Sequence, residues 1–235
     1  MDNVVRDIPP AAAQRLRHRA RLAVDARKSI AVKRDVHELI VEADLPTFVA
    51  AFRDVMTDPN GTFGLIRVRR PADRLGRDFT VGERFQGCYS IATALSQVSQ
   101  GSLLAGVVDW ALSTRVARQV LTAIEDAMLS DYAVIEELVL EPAPGQPAKL
   151  RYGYLDGTPI AGSSVFTVED IGGGQLRVTQ VFEYQEINSI ALATFQRFGL
   201  KMHDQVVFQQ IHKAAERAGG RLVSATIPGD YVEQN

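Results

Sequence analysis

Glu83 interrupts an otherwise apolar alternation, Phe79, Val81, Glu83, Phe85, Gly87 and Tyr89, whose odd-numbered members share one face of an extended strand. If that face turns into a core, the carboxylate loses water and its proton affinity rises, which suits a general base or acid. The alternative is a buried ion pair with an arginine. Tyr89, Tyr152, Tyr154 and Tyr184 also fall in strand-like runs, where a phenol either faces a ligand carbonyl or enolate or bonds to backbone while its ring packs. Gln180, between Val178 and Phe182, either orients a ligand or pairs across a sheet, and His203, beside Met202, is either a ligand contact or a surface imidazole. Proton transfer with enolate stabilisation is the chemistry these types support, with Glu83, Tyr89 and Tyr184 as its catalytic set. Phe85, Trp110, Tyr152, Tyr154, Phe166, Gln180, Phe182, Phe195, Met202 and His203 are the residues expected against a ligand.

Other chemistries lack support. Gly172-Gly173-Gly174 precedes a strand pattern and not a helix, so it is no phosphate loop. The four histidines, His18, His37, His203 and His212, are scattered without ligand spacing, and no metal or other cofactor is expected. Ser163 and Ser164 lack the strand-turn-helix setting of a nucleophile elbow.

The elements that must hold these residues follow from periodicity. A first strand, His37 to Ala43, runs into Asp44-Leu45-Pro46, a capping residue with a proline in the first helical turn, and the helix carries Phe48, Val49, Phe52, Val55 and Met56 on one side. Strands are predicted over 63–69, from Phe79 to Tyr89, 132–140, 149–155, 160–168 and 176–184, with Asp156-Gly157 as the hairpin signal between two of them. Helical spacing over 91–130 marks an insertion after the second of these six. From Asn188 to Ala218, Phe195, Phe198, Met202, Val206, Val207, Ile211 and Ala215 form one apolar line along a long helix that Gly219-Gly220 stops. Strands joined by tight turns pair antiparallel, and only this helix is long enough to cover the resulting sheet.

Within 235 residues and a net charge of -2, residues 1–34 hold nine Lys or Arg against three Asp, so of 26 basic and 28 acidic residues the remainder keeps 17 and 25. That basic arm is expected either to lie solvated or to touch an anionic membrane surface; without interleaved aromatics it is not read as binding nucleic acid, and Asp2, Asp7 and Asp25 set it apart from an organelle presequence. The longest uncharged apolar stretch, Ser102 to Val108, is too short to span a bilayer, and the single Cys88 fits a reducing compartment, so the cytoplasm is the expected location.

Four segments carry a resemblance: Ala43-Asp44-Leu45-Pro46-Thr47-Phe48-Val49-Ala50-Ala51-Phe52, Val81-Gly82-Glu83-Arg84-Phe85, Gly173-Gly174-Gln175-Leu176-Arg177-Val178-Thr179 and Ile211-His212-Lys213-Ala214-Ala215-Glu216. Over 36–218 the pattern resembles the START-like (SRPBCC) helix-grip superfamily of polyketide cyclase/dehydrase and lipid-transport proteins, plant pathogenesis-related ligand binders and coenzyme Q-binding proteins. It implies an α+β domain in which a curved antiparallel sheet of about seven strands wraps a C-terminal helix and leaves a mostly apolar cavity for a hydrophobic small molecule. The division expected is an arm over 1–34, a domain over 35–220 whose insertion (91–130) lies near the cavity mouth, and a tail over 221–235. The function expected is binding of a polyketide-like or lipid-like compound, with cyclisation or dehydration of it, or else non-catalytic lipid or quinone carriage; a protein-interaction module is a third class.

Overall fold

The computed structural model describes residues 32–58, 66–89, 113–117, 119–120, 130–154, 162–185 and 190–228. Strand β1 (Val32–Glu42) leads into helix α1 (Leu45–Thr57) across a cap in which the Asp44 carboxylate accepts from the Thr47 amide at 3.2 Å and its hydroxyl at 2.8 Å. Pro46 sits in the first turn, where a missing N–H costs no intrahelical bond. Phe48, Val49, Phe52, Val55 and Met56 are buried, as their spacing predicts.

Six strands follow: β2 (Ile66–Arg69), β3 (Arg84–Tyr89), β4 (Ser130–Val139), β5 (Ala148–Tyr154), β6 (Gly162–Gly172) and β7 (Gln175–Gln185). Helix α2 (Ile190–Arg217) and strand β8 (Arg221–Thr226) complete the described chain. All neighbours pair antiparallel in the order β2-β3-β4-β5-β6-β7-β1-β8. β1, first in the chain, therefore lies between β7 and β8, and the sheet curls about α2. This is the helix-grip α+β fold. Its interior is formed by Leu39 and Val41 of β1, Ile135 of β4, Leu150 of β5, Phe166 and Val168 of β6, Leu176, Val178 and Phe182 of β7, and Val206, Val207, Ile211, Ala214 and Ala215 of α2.

Several expectations need correction. The segment after 220, expected as a tail, supplies β8, an eighth strand: Gly219, at φ +73°, and Gly220 close α2 in a Schellman turn, with the Gly220 amide donating to Ala215 at 2.9 Å and the Gly219 amide to Glu216 at 3.0 Å. That turn reverses the chain so that Arg221 can pair with Glu42. Val32–Arg34, assigned to the arm, belong to β1 and pair with β7. The strand expected from Phe79 starts only at Arg84, because Gly82 takes φ +85° and the Glu83 amide donates to Thr80 at 3.0 Å, which makes 80–83 a turn and leaves Val81 exposed. In the expected insertion, 113–117 and 119–120 are described and contain helical turns, and its last residue, Ser130, opens β4; the rest of it, the Asp156-Gly157 signal and residues 1–31 lie outside the described residues.

Candidate functional site

Glu83 is buried, and its carboxylate is fully engaged. Arg70 Nε donates to Oε1 at 2.6 Å and Nη2 to Oε2 at 3.0 Å, while the Thr80 amide donates to Oε2 at 3.2 Å. Arg70 also donates from Nη1 to the carbonyl of Arg77 (2.5 Å) and from Nη2 to that of Asp78 (3.1 Å), and it lies over the Phe79 ring at 4.3 Å. The pair pins the loop between β2 and β3 against the core: it is the ion pair that stood as the alternative to a catalytic carboxylate.

A second polar group spans β6, β7 and β1, three to five strands from β3 in sheet order, inside the grip. On β1, inward positions repeat every second residue as His37, Leu39 and Val41, all completely buried. Directly across on β7, His37 faces Gln180, also completely buried, and Ser164 of β6 is buried beside it. α2 brings His203 and Asp204 down onto them, both buried. His37 Nε2 donates to Asp204 Oδ1 at 2.7 Å. A carboxylate accepts only, so in the neutral imidazole the proton sits on Nε2 and Nδ1 is left a lone pair; that buried Nδ1 has no partner. The Gln180 Nε2 donates to Ser164 Oγ at 2.5 Å and lies 3.5 Å from His203 Nε2, and its Oε1 is likewise buried and unpartnered. An unsatisfied buried acceptor costs about 1–3 kcal/mol, and two of them meet on one cross-strand pair.

Charge is graded over the cluster. Burial, and after it the neighbouring His37, lowers the His203 pKa to about 3, so that imidazole is neutral at ordinary pH. Asp35, two residues before His37, has its pKa raised by burial and by the Asp204 charge, against a hydrogen bond from Tyr184 and the nearby His37 and Lys33. The surroundings are aromatic: Phe182 stacks on His203 with centroids 4.3 Å apart and on Tyr184 at 5.1 Å, Tyr154 meets Phe182 edge-on at 5.8 Å, and Tyr152 continues to Phe85 and Phe166. This wall crosses the inner face from β3 to β7.

Of the residues expected at a site, Phe85, Tyr152, Tyr154, Phe166, Gln180, Phe182, Tyr184 and His203 converge on this inner face, and Glu83 stands apart with Arg70. Tyr89, Phe195 and Met202 lie on β3 and α2, with their side chains outside the described residues, as is all of Trp110. His37, Asp204, Asp35 and Ser164 were not anticipated. The histidines looked scattered because spacing along the chain was the criterion, whereas β1 and α2 bring His37, His203 and Asp204 together with potential ligand atoms within 4.8 Å of one another. The short His37–Asp204 hydrogen bond occupies one such atom on each. A signal for His37 did exist: it shares period-two phase with Leu39 and Val41.

No protein-family model matches the sequence, and neither does a curated protein. Among solved structures the chain is similar to a truncated norcoclaurine synthase from Thalictrum flavum, at 9% identity over 79% of this chain and 94% of that one with a TM-score of 0.47. It is also similar to the Zhui aromatase/cyclase from a Streptomyces species, at 8% identity over 80% and 94% with a TM-score of 0.49. A hypothetical protein from Helicobacter pylori shares 12% identity over 76% and 86% with a TM-score of 0.42.

Proposed function

We propose that the chain binds a hydrophobic small molecule between the curled sheet and α2 and moves a proton on it, in the cyclisation or dehydration of a polyketide-like or lipid-like compound. The observation that carries the reading is the His37–Asp204 pair: an imidazole held at 2.7 Å by a buried carboxylate with its other nitrogen unpartnered, beside an aromatic wall. His37 Nδ1 serves as the base that removes the proton; Asp204 fixes the ring and stabilises the charge it gains. Gln180 and Ser164 orient the ligand, and Phe182 with Tyr184 holds its apolar part. The proton-transfer role expected of Glu83 passes to His37, and Glu83 serves the loop that Arg70 pins.

Native mass spectrometry of the purified full chain tests binding by showing a co-purifying apolar molecule. With that molecule or its precursor as substrate, His37→Gln is expected to lower turnover by about 100-fold or more while its dissociation constant stays within a few-fold of the parent's. Unchanged turnover in His37→Gln sinks the catalytic assignment; bound ligand that is never converted favours a carrier. For a carrier, contact between the basic arm and a membrane is read by co-sedimentation of the full chain with anionic vesicles.

A further inference from the structure

We infer that the molecule held here presents two neighbouring hydroxyl groups, and no carboxylate, to the His37–Gln180 pair. This inference rests on the ligand-binding reading above and names the class of ligand.

His37 and Gln180 are direct partners across β1 and β7, with both side chains on the inner face and both completely buried. Directly opposed side chains of an antiparallel pair start about 5 Å apart at Cβ, so the two can address neighbouring atoms of one molecule. Each has spent one end within the protein, on Asp204 and on Ser164, and each keeps one end unpartnered: Nδ1 of His37 and Oε1 of Gln180. With the imidazole in its neutral Nε2–H form both open ends accept, so what completes them must bring two donors. A ketone or ester oxygen brings none. A carboxylate brings none either, and it would meet the negative charge of Asp204, with the neighbouring His203 uncharged. Hydroxyls remain suitable in either orientation of the Gln180 amide, because an O–H both donates and accepts. The flat rings of Phe182, Tyr184 and His203, stacked in sequence, match an apolar and planar body behind those hydroxyls.

The test keeps one apolar scaffold and changes only its polar end: naphthalene, 2-naphthol, 2,3-dihydroxynaphthalene and 2-naphthoate, titrated against the full chain by fluorescence or calorimetry. Two ordinary net hydrogen bonds predict that the diol binds about 10- to 100-fold more tightly than naphthalene, with 2-naphthol between them and 2-naphthoate weakest. Gln180→Leu is expected to bring the diol down to the level of 2-naphthol, with circular dichroism confirming that the variant is folded. Equal affinity for all four, or a preference for the carboxylate, overturns the hydroxyl assignment while leaving small-molecule binding intact. Absence of binding by any of the four, together with no co-purifying ligand, overturns the binding reading itself.

Discussion

His37 on β1 and Asp204 on α2 are 167 residues apart and meet at 2.7 Å. Since the histidine is completely buried, the contact ties the middle of β1 to the middle of the closing helix by a polar bond within an apolar interior. Removing one partner leaves the other unsatisfied and shut from water. Asp204→Ala is therefore expected to cost about 1.5–3 kcal/mol, and Asp204→Asn, which still offers an acceptor, clearly less. Urea denaturation of the three proteins measures the order; an Asn variant as unstable as the Ala variant would mean that charge and not the acceptor matters.

The Arg70–Glu83 pair is nearly absent from solvent, with both side chains 2% exposed. Desolvating two charges consumes most of what their attraction returns, but breaking the pair strands a buried charge. Arg70→Met alone is expected to destabilise by about 3–5 kcal/mol, and the double variant Arg70→Met with Glu83→Leu by less than Arg70→Met alone. A double-mutant cycle by chemical denaturation supplies the coupling energy, and additive effects would remove the pair from its structural role. Turnover provides an independent check: a Glu83 variant that keeps its fold is expected to keep its activity, whereas a specific loss would return the catalytic part to Glu83.

The buried imidazole of His203 makes stability depend on acid. Unfolded, it takes a proton near 6.5; folded, its pKa is about 3. Between those values the unfolded chain binds more protons, so stability is level above 6.5 and falls as the pH drops toward 3, by at most about 1.4 kcal/mol per pH unit. Asp35 acts in the opposite sense: its raised folded pKa favours the folded chain at low pH, and this contribution is lost as pH rises through that value. Urea unfolding at pH 7, 6 and 5 is expected to show the decline in the parent and a flatter profile in His203→Phe, a ring of similar shape in the stack on Phe182. Identical slopes in the two proteins would falsify the assignment to His203.

The architecture was legible wherever one element's pattern decides its own structure. Asp44, Pro46 and the apolar line through Phe48, Phe52 and Met56 define α1 locally, and alternation over Leu176, Val178, Gln180, Phe182 and Tyr184 defines β7. What escaped depends on long-range geometry. β8 is short and mostly exposed, with no alternation of apolar residues, and it forms because the Schellman turn delivers it to the free edge of β1. The alternation left the burial of Glu83 conditional on which way its face turned, and its partner thirteen residues upstream belongs to a loop with no periodicity. His37 and Asp204 meet only because the last helix closes over the first strand, and histidine spacing along the chain carries no trace of that.

The approach of β8 to β1 depends on a missing side chain. A Cβ at Gly220 would run into the carbonyl of Glu42, and at the same point Gly220 donates its amide to Ala215 to complete the turn. Backbone on both sides cannot give way as a flexible side chain does, so Gly220→Ala must push the strand outward or open the turn. Gly162 is the control within the same sheet: its φ of +154° and the carbonyl of Glu183 close to its missing Cβ place the same constraint at the start of β6, away from β8. Either alanine variant is expected to lose about 1–3 kcal/mol. Hydrogen exchange separates them, since Gly220→Ala should speed exchange along 221–226 and the facing part of β1 while leaving β6 protected, and Gly162→Ala the reverse. Uniform acceleration in both variants would mean that β8 is an inseparable part of one cooperative sheet, and not an edge strand held by its turn.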